Sequence, residues 1–168
     1  MLEAEAHVQL KNILNKLHSP WPHNLTLSRL VARSLRRRDH SLFDLDFGSE
    51  DDWWMGVLIP LCIDSSSAVL ILTANQRSKL FNIHLPLLNS EGFNLPLWEG
   101  PSPPLGEHLW LLTYKEFIIA YQNNFLQGRQ LIIPDASSFS NRLRDAMTLI
   151  IKSEDWEKLA NAYPSSHI

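Results

Sequence analysis

Cysteine is nearly absent: Cys62 is the only one among 168 residues. A lone thiol forms no intramolecular disulfide and gives a structural zinc site no second sulfur, so a reducing compartment is expected. Long apolar runs are missing too, none approaching the roughly 18 to 20 residues of a membrane-spanning helix. The N-terminus carries Glu3 and Glu5, where a secretion signal has a basic start and an apolar stretch. These absences predict a soluble, cytoplasmic protein with no membrane partner. Positive charge is not in excess either. The 15 basic side chains face 18 acidic ones, for a net charge of −3 and a pI near 6.1. That excludes a wholly basic nucleic-acid binder and leaves room for a local basic patch. The seven histidines are scattered with no metal-binding helical pair, so no metal is assigned. Ser137, Ser138 and Ser140 lack the Gly-x-Ser-x-Gly elbow of a nucleophile and read as helix N-caps.

What remains is one domain of ordinary size. Ala6, Leu10, Ile13, Leu14 and Leu17 form one stripe of an amphipathic helix over Leu2 to Leu17. Pro20 and Pro22 break it. A second helix starts at Asn24 or Thr26, both competent N-caps, and runs to the basic cluster Arg36-Arg37-Arg38. Ser41 to Phe47 alternates apolar and polar residues as a strand does, and Gly48 to Asp52 is a turn. Trp53 to Cys62 is apolar nearly all round and reads as a buried helix with Pro60 near its end. Ala68 to Leu72 is the clearest strand, apolar throughout as in a sheet covered on both faces. A helix is expected from Asn75 to Ile83.

Between Pro86 and Glu107 the chain is rich in proline (Pro86, Pro96, Pro101, Pro103, Pro104) and reads as a long inserted loop. Its apolar anchors are Phe93, Leu95, Leu97 and Trp98. His108 to Leu112 reads as a strand, followed by the capping box Thr113-Tyr114-Lys115-Glu116 and a helix ending near Gly128. Gln130 to Ile133 is a short strand stopped by Pro134. Phe139, Leu143, Ala146, Met147 and Ile150 repeat at helical spacing, and Ser153 caps a last helix. Strands alternating with helices predict a three-layer α/β domain with a largely parallel sheet. Such sheets bind ligands beyond the carboxyl ends of their strands, here the turns at 48–52, 73–76 and 134–137.

Taken in order, these turns resemble the motifs of a DinG/XPD-type superfamily 2 DNA helicase, in its first motor domain. The resemblance starts at the lead-in segment Trp21 to Val31. It continues at Gly48-Ser49-Glu50-Asp51-Asp52-Trp53-Trp54, where the family has a phosphate-binding loop, and at the helix stop Leu58-Ile59-Pro60. Val69 to Gln76 is similar to the strand and turn that touch the DNA backbone. Leu131 to Ser137 resembles the strand bearing the Asp-Glu-Ala-His box. The fold it implies is a P-loop NTPase-like (RecA-like) domain over 1–164, with the insertion around 86–107 and a tail at 165–168. The activity it implies is ATP- and magnesium-dependent unwinding of DNA.

The hallmark residues differ. Counting back from Pro60, the lysine and threonine that would hold phosphate and magnesium fall on Trp53 and Trp54. Glu50, Asp51 and Asp52 put negative charge where a triphosphate would sit. Gly48, Ser49, Asp52, Trp53 and Trp54 are therefore degenerate nucleotide-loop positions. Pro134 replaces the metal-holding aspartate, and Asp135 stands, vestigially, at the glutamate that would activate water. No cofactor is expected, and the chain is not expected to hydrolyse ATP alone. The nucleic-acid-binding candidates are Arg33, Arg36, Arg37, Arg38, Gln76 and Arg77, with Lys79 nearby. Trp53 and Trp54 either stack bases or fill the vacated pocket as core. Three functions stay open. The chain is a helicase-like binding module without nucleotide chemistry, or an active helicase component needing other chains, or a protein-interaction domain docking through the Pro-rich loop.

Overall fold

The computed structural model describes residues 2–17, 23–45, 53–65, 67–149 and 152–162. The Pro20–Pro22 break, the turn at 48–52 and the tail at 165–168 lie outside the described residues.

Among the described residues four strands form an all-parallel sheet: β1 Ala68–Leu72, β2 Leu97–Trp98, β3 Leu109–Thr113 and β4 Gln130–Ile132, in the order β2-β3-β1-β4. Every residue of β1 is buried, as its unbroken apolar run requires of a strand covered on both faces. Alternate side chains go to opposite layers. Ala68, Leu70, Leu72, Leu109 and Leu111 join a cluster with helices α1 Leu2–Leu17, α2 Asn24–Arg37 and α3 Trp54–Ile63. Val69, Ile71, Trp110 and Leu112 join the other, with α6 Tyr114–Gln122 and α7 Phe139–Met147. The protein is thus α/β, with helices against both faces of a parallel sheet.

α3 is buried from Trp54 to Leu61 because it carries no charged residue and packs between α1, α2 and the sheet. Its N-terminal amides need acceptors, and Trp53 at the N-cap has no side chain to supply one. Asn24 does so from another helix: its Oδ1 accepts the Gly56 N–H at 3.1 Å. This corrects the reading of Asn24 as the cap of its own helix. His23 holds that position, and Asn24 is 1% exposed inside α2. A Cβ on Gly56 would lie 3.0 Å from Leu27 and 3.1 Å from the Asn24 carbonyl, so the α2–α3 contact depends on glycine there.

Several expected elements change. Ser41 to Leu45, the described part of the expected strand, pairs with no strand, although Phe43 and Leu45 pack on the core. The helix after β1 begins as α4 Ala74–Lys79 and passes through a π-helical turn, Leu80–His84, into α5 Leu85–Ser90. The wide turn, closed by Leu85 N–H to the Leu80 carbonyl, makes room for Pro86, whose ring would meet the Asn82 carbonyl in a continuous α-helix. The Pro-rich segment is therefore part helix, part strand β2, and part crossover from β2 to β3. Trp98 Nε1 donates to the Ser102 carbonyl at 2.8 Å and Trp110 Nε1 to the Gly100 carbonyl at 2.9 Å, fixing that crossover.

α6 stops at Gln122, short of Gly128. Asn124 takes the left-handed conformation first, and Gly128 repeats it at the end of the following turn. The last helix, α8 Ser153–Ala162, is capped by Asp155, which accepts the Lys152 N–H at 2.9 Å, with no cap bond from Ser153. Ser138 occupies the N-cap position of α7 without a side-chain cap bond.

Candidate functional site

Four places were expected to carry function: the start of α3, the carboxyl edge of the sheet, the basic end of α2 and the Pro-rich loop. Gly48, Ser49 and Asp52 lie outside the described residues. Trp53 and Trp54 are 8% and 1% exposed, with ring centroids 4.4 Å apart at 20°. His84, from the π-helical turn, stacks on Trp54 at 4.9 Å and is itself buried. The two indoles and the imidazole form one aromatic column joining α3 to the π-helical turn. They are core, and neither indole is presented to a base.

At the carboxyl edge, β1 and β3 end in matching turns. Thr73 and Gln76 form a capping box, with Gln76 N–H on Thr73 Oγ1 at 3.2 Å and Thr73 N–H on Gln76 Oε1 at 3.0 Å. Thr113 and Glu116 form the second, as their sequence foretells, with Thr113 N–H on Glu116 Oε2 at 2.7 Å. Arg77 ties the turns together: it pairs with Glu99 after β2 and lies 3.9 Å from Glu116. Gln76 thus uses its side-chain oxygen in the capping box, and Arg77 uses its guanidinium in pairs with Glu99 and Glu116.

Asp135 follows β4. Its Oδ2 takes a 2.8 Å ion pair from Arg142, and its Oδ1 accepts Ser137 Oγ at 2.8 Å and Ser138 N–H at 3.2 Å. The Arg142 guanidinium above all holds its carboxyl well below the usual carboxylate range; burial opposes it, and the Ser137 and Ser138 contacts add to the lowering. Ionised and held by three donors, it fixes the turn into α7. Arg142 also lies over the Tyr114 ring, 6.0 Å from its centroid, and burial pushes the Tyr114 phenol up.

The basic end of α2 lies at the opposite edge of the sheet. Gln130 Nε2, at the start of β4, donates to the Ser34 carbonyl at 3.1 Å, which fixes this end of α2 beside the amino ends of the strands. The arginine candidates and Gln76/Arg77 are therefore separated by the length of β1 and do not form one surface. Arg36 is paired with Glu3 at 2.6 Å and Arg37 with Asp39 at 2.8 Å. The Glu3 contact lowers the pKa of Glu3 and raises that of Arg36. Arg33 and Arg38 are exposed and have no carboxylate partner among the described residues. Arg36 and Arg38 also line a cleft of about 200 Å³ with Leu35, Asp64 and Gln130.

Of the anchors of the Pro-rich segment, Leu95 is buried and Phe93 and Leu97 pack against the core, whereas Trp98 stays exposed, as does Leu105 farther along the segment. Burial pushes the Cys62 thiol up to about 12, so it stays protonated and unreactive at neutral pH. Among the described residues no group of three or more His, Cys, Asp or Glu is placed to hold a metal. No helix among them is long and apolar enough to cross a membrane.

His84, Glu99 and Arg142 were not singled out from sequence, and Asn24 was read only as an N-cap. Arg142 sits seven residues from Asp135 across a turn, a spacing with no local signature. Asn24 and His84 act across elements far apart in the chain. Comparison with protein-family models, with curated proteins and with solved structures finds no match.

Proposed function

We propose that the chain is a helicase-like motor fold, related to the first motor domain of DinG/XPD-type enzymes, that works by binding and does not turn over ATP. DNA is the ligand implied by the resemblance, and the cytoplasm the compartment. The parallel α/β architecture supports the reading at the level of fold class. The observation that carries it is the aromatic column. At the two positions where the resemblance puts the phosphate-gripping lysine and the magnesium-holding threonine, Trp53 and Trp54 are buried and stacked face to face. An indole N–H replaces neither an ammonium nor a metal ligand. Asp135, its carboxyl held well below the usual range by Arg142, is a weak base for drawing a proton from water.

Titration with a fluorescent ATP analogue and magnesium tests this. No saturable binding in the micromolar range and no phosphate release are expected. Micromolar binding with phosphate release would overturn it, in favour of an active helicase component.

A further inference from the structure

α2 presents two faces. Asn24, Leu27, Ser28, Val31 and Ala32 are buried. Arg29, Arg33, Arg36 and Arg37 follow at spacings of four, three and one, and fall on the side away from the core, all exposed. Arg38 extends the series. It takes the left-handed conformation (φ 55°) that closes the helix, a position usually left to glycine or asparagine. There it faces the cleft beside Gln130. Glu3 and Asp39 neutralise Arg36 and Arg37, whereas Arg29, Arg33 and Arg38 have no carboxylate partner among the described residues. In a protein of net charge −3, this is a concentrated exception.

The geometry points to the outer face of α2 as a binding surface for the phosphodiester backbone of a nucleic acid. This rests on reading the chain as a binding module and names its ligand class and location. Arg29 to Arg37 spans about 12 Å of helix axis, long enough to meet successive phosphates of a strand. An anionic membrane suits the face less well. An interfacial helix buries an apolar side in lipid, and the apolar side of α2 is already spent on the core, leaving Leu30 as its exposed large apolar residue. The aromatic column is buried elsewhere, so recognition runs through charge and is indifferent to base sequence.

The test is fluorescence anisotropy with a labelled, mixed-sequence single-stranded DNA of about 20 nucleotides, across salt concentration. Three free cations predict a slope of log K against log salt near −2, at about −0.7 per neutralised phosphate. The triple variant Arg29→Gln/Arg33→Gln/Arg38→Gln is expected to lose most of that slope. Glu3→Gln, which frees Arg36, is expected to steepen it by about 0.7. Arg144→Gln with Lys158→Gln, basic residues outside α2, should leave it unchanged. Equal slopes for wild type and the triple variant overturn the proposal while leaving a binding role intact. No DNA binding by wild type, or binding to phosphatidylserine vesicles in preference to DNA, overturns it as well. The ATP-analogue titration is read separately on the same protein.

Discussion

Asp135 shows how a single carboxylate can be committed by its neighbours. The Arg142 pair and the two serine donors all favour its charged form, so its folded-state pKa lies below the ordinary value of about 3.9. A lowered folded pKa contributes stability that is fully present above the unfolded value and is lost as pH falls toward the folded one. Asp135→Asn should therefore unfold at a lower temperature than wild type at pH 7, with the gap narrowing once pH drops below about 4. Thermal melts followed by circular dichroism across pH check this, and a gap unchanged between pH 7 and pH 3 would contradict it. The position of Asp135 beyond a strand was legible in the sequence. Its role was not, because Arg142 reaches it only after the turn at 136–138 folds the chain back.

Among the elements, the joint between α2 and α3 depends on one side chain. Asn24 supplies the acceptor for a buried amide that α3 cannot satisfy itself. Asn24→Ala leaves the Gly56 N–H without that acceptor in the core, and a loss of about 1–3 kcal/mol is expected. Urea unfolding measures it, and a change below about 0.5 kcal/mol, the usual size of a surface substitution, would contradict the assignment. The elements were most readable where local pattern decides them: β1 from its apolar run, α1 from its stripe, α6 from its capping box. They were least readable where tertiary context decides. Ser41 to Leu45 alternates like a strand yet lacks a pairing partner, and Pro86 sits inside helical structure because a wide turn admits it.

Across the whole molecule, burial is unevenly shared. β1 and β3 lie between two apolar layers, while α7 and α8 have no buried residue. Amide hydrogen exchange should follow that gradient, slowest in β1 and β3 and fastest in α8. Protection in α8 equal to that in β1 would show that α8 is covered in solution. The layered plan and the parallel sense were legible from alternating strands and helices. Strand order was not, since it rests on pairings between distant segments that no local pattern encodes.

That order has a consequence during translation. β1 lies inside the sheet, yet of these four strands it is the first to be synthesised, and both its neighbours, β3 and β4, are made later. No hairpin can shield it in the meantime, so five consecutive apolar residues wait uncovered on the nascent chain until distant partners arrive. The helices α1 to α3, synthesised before it and packed against it in the finished fold, offer an apolar surface to shelter it.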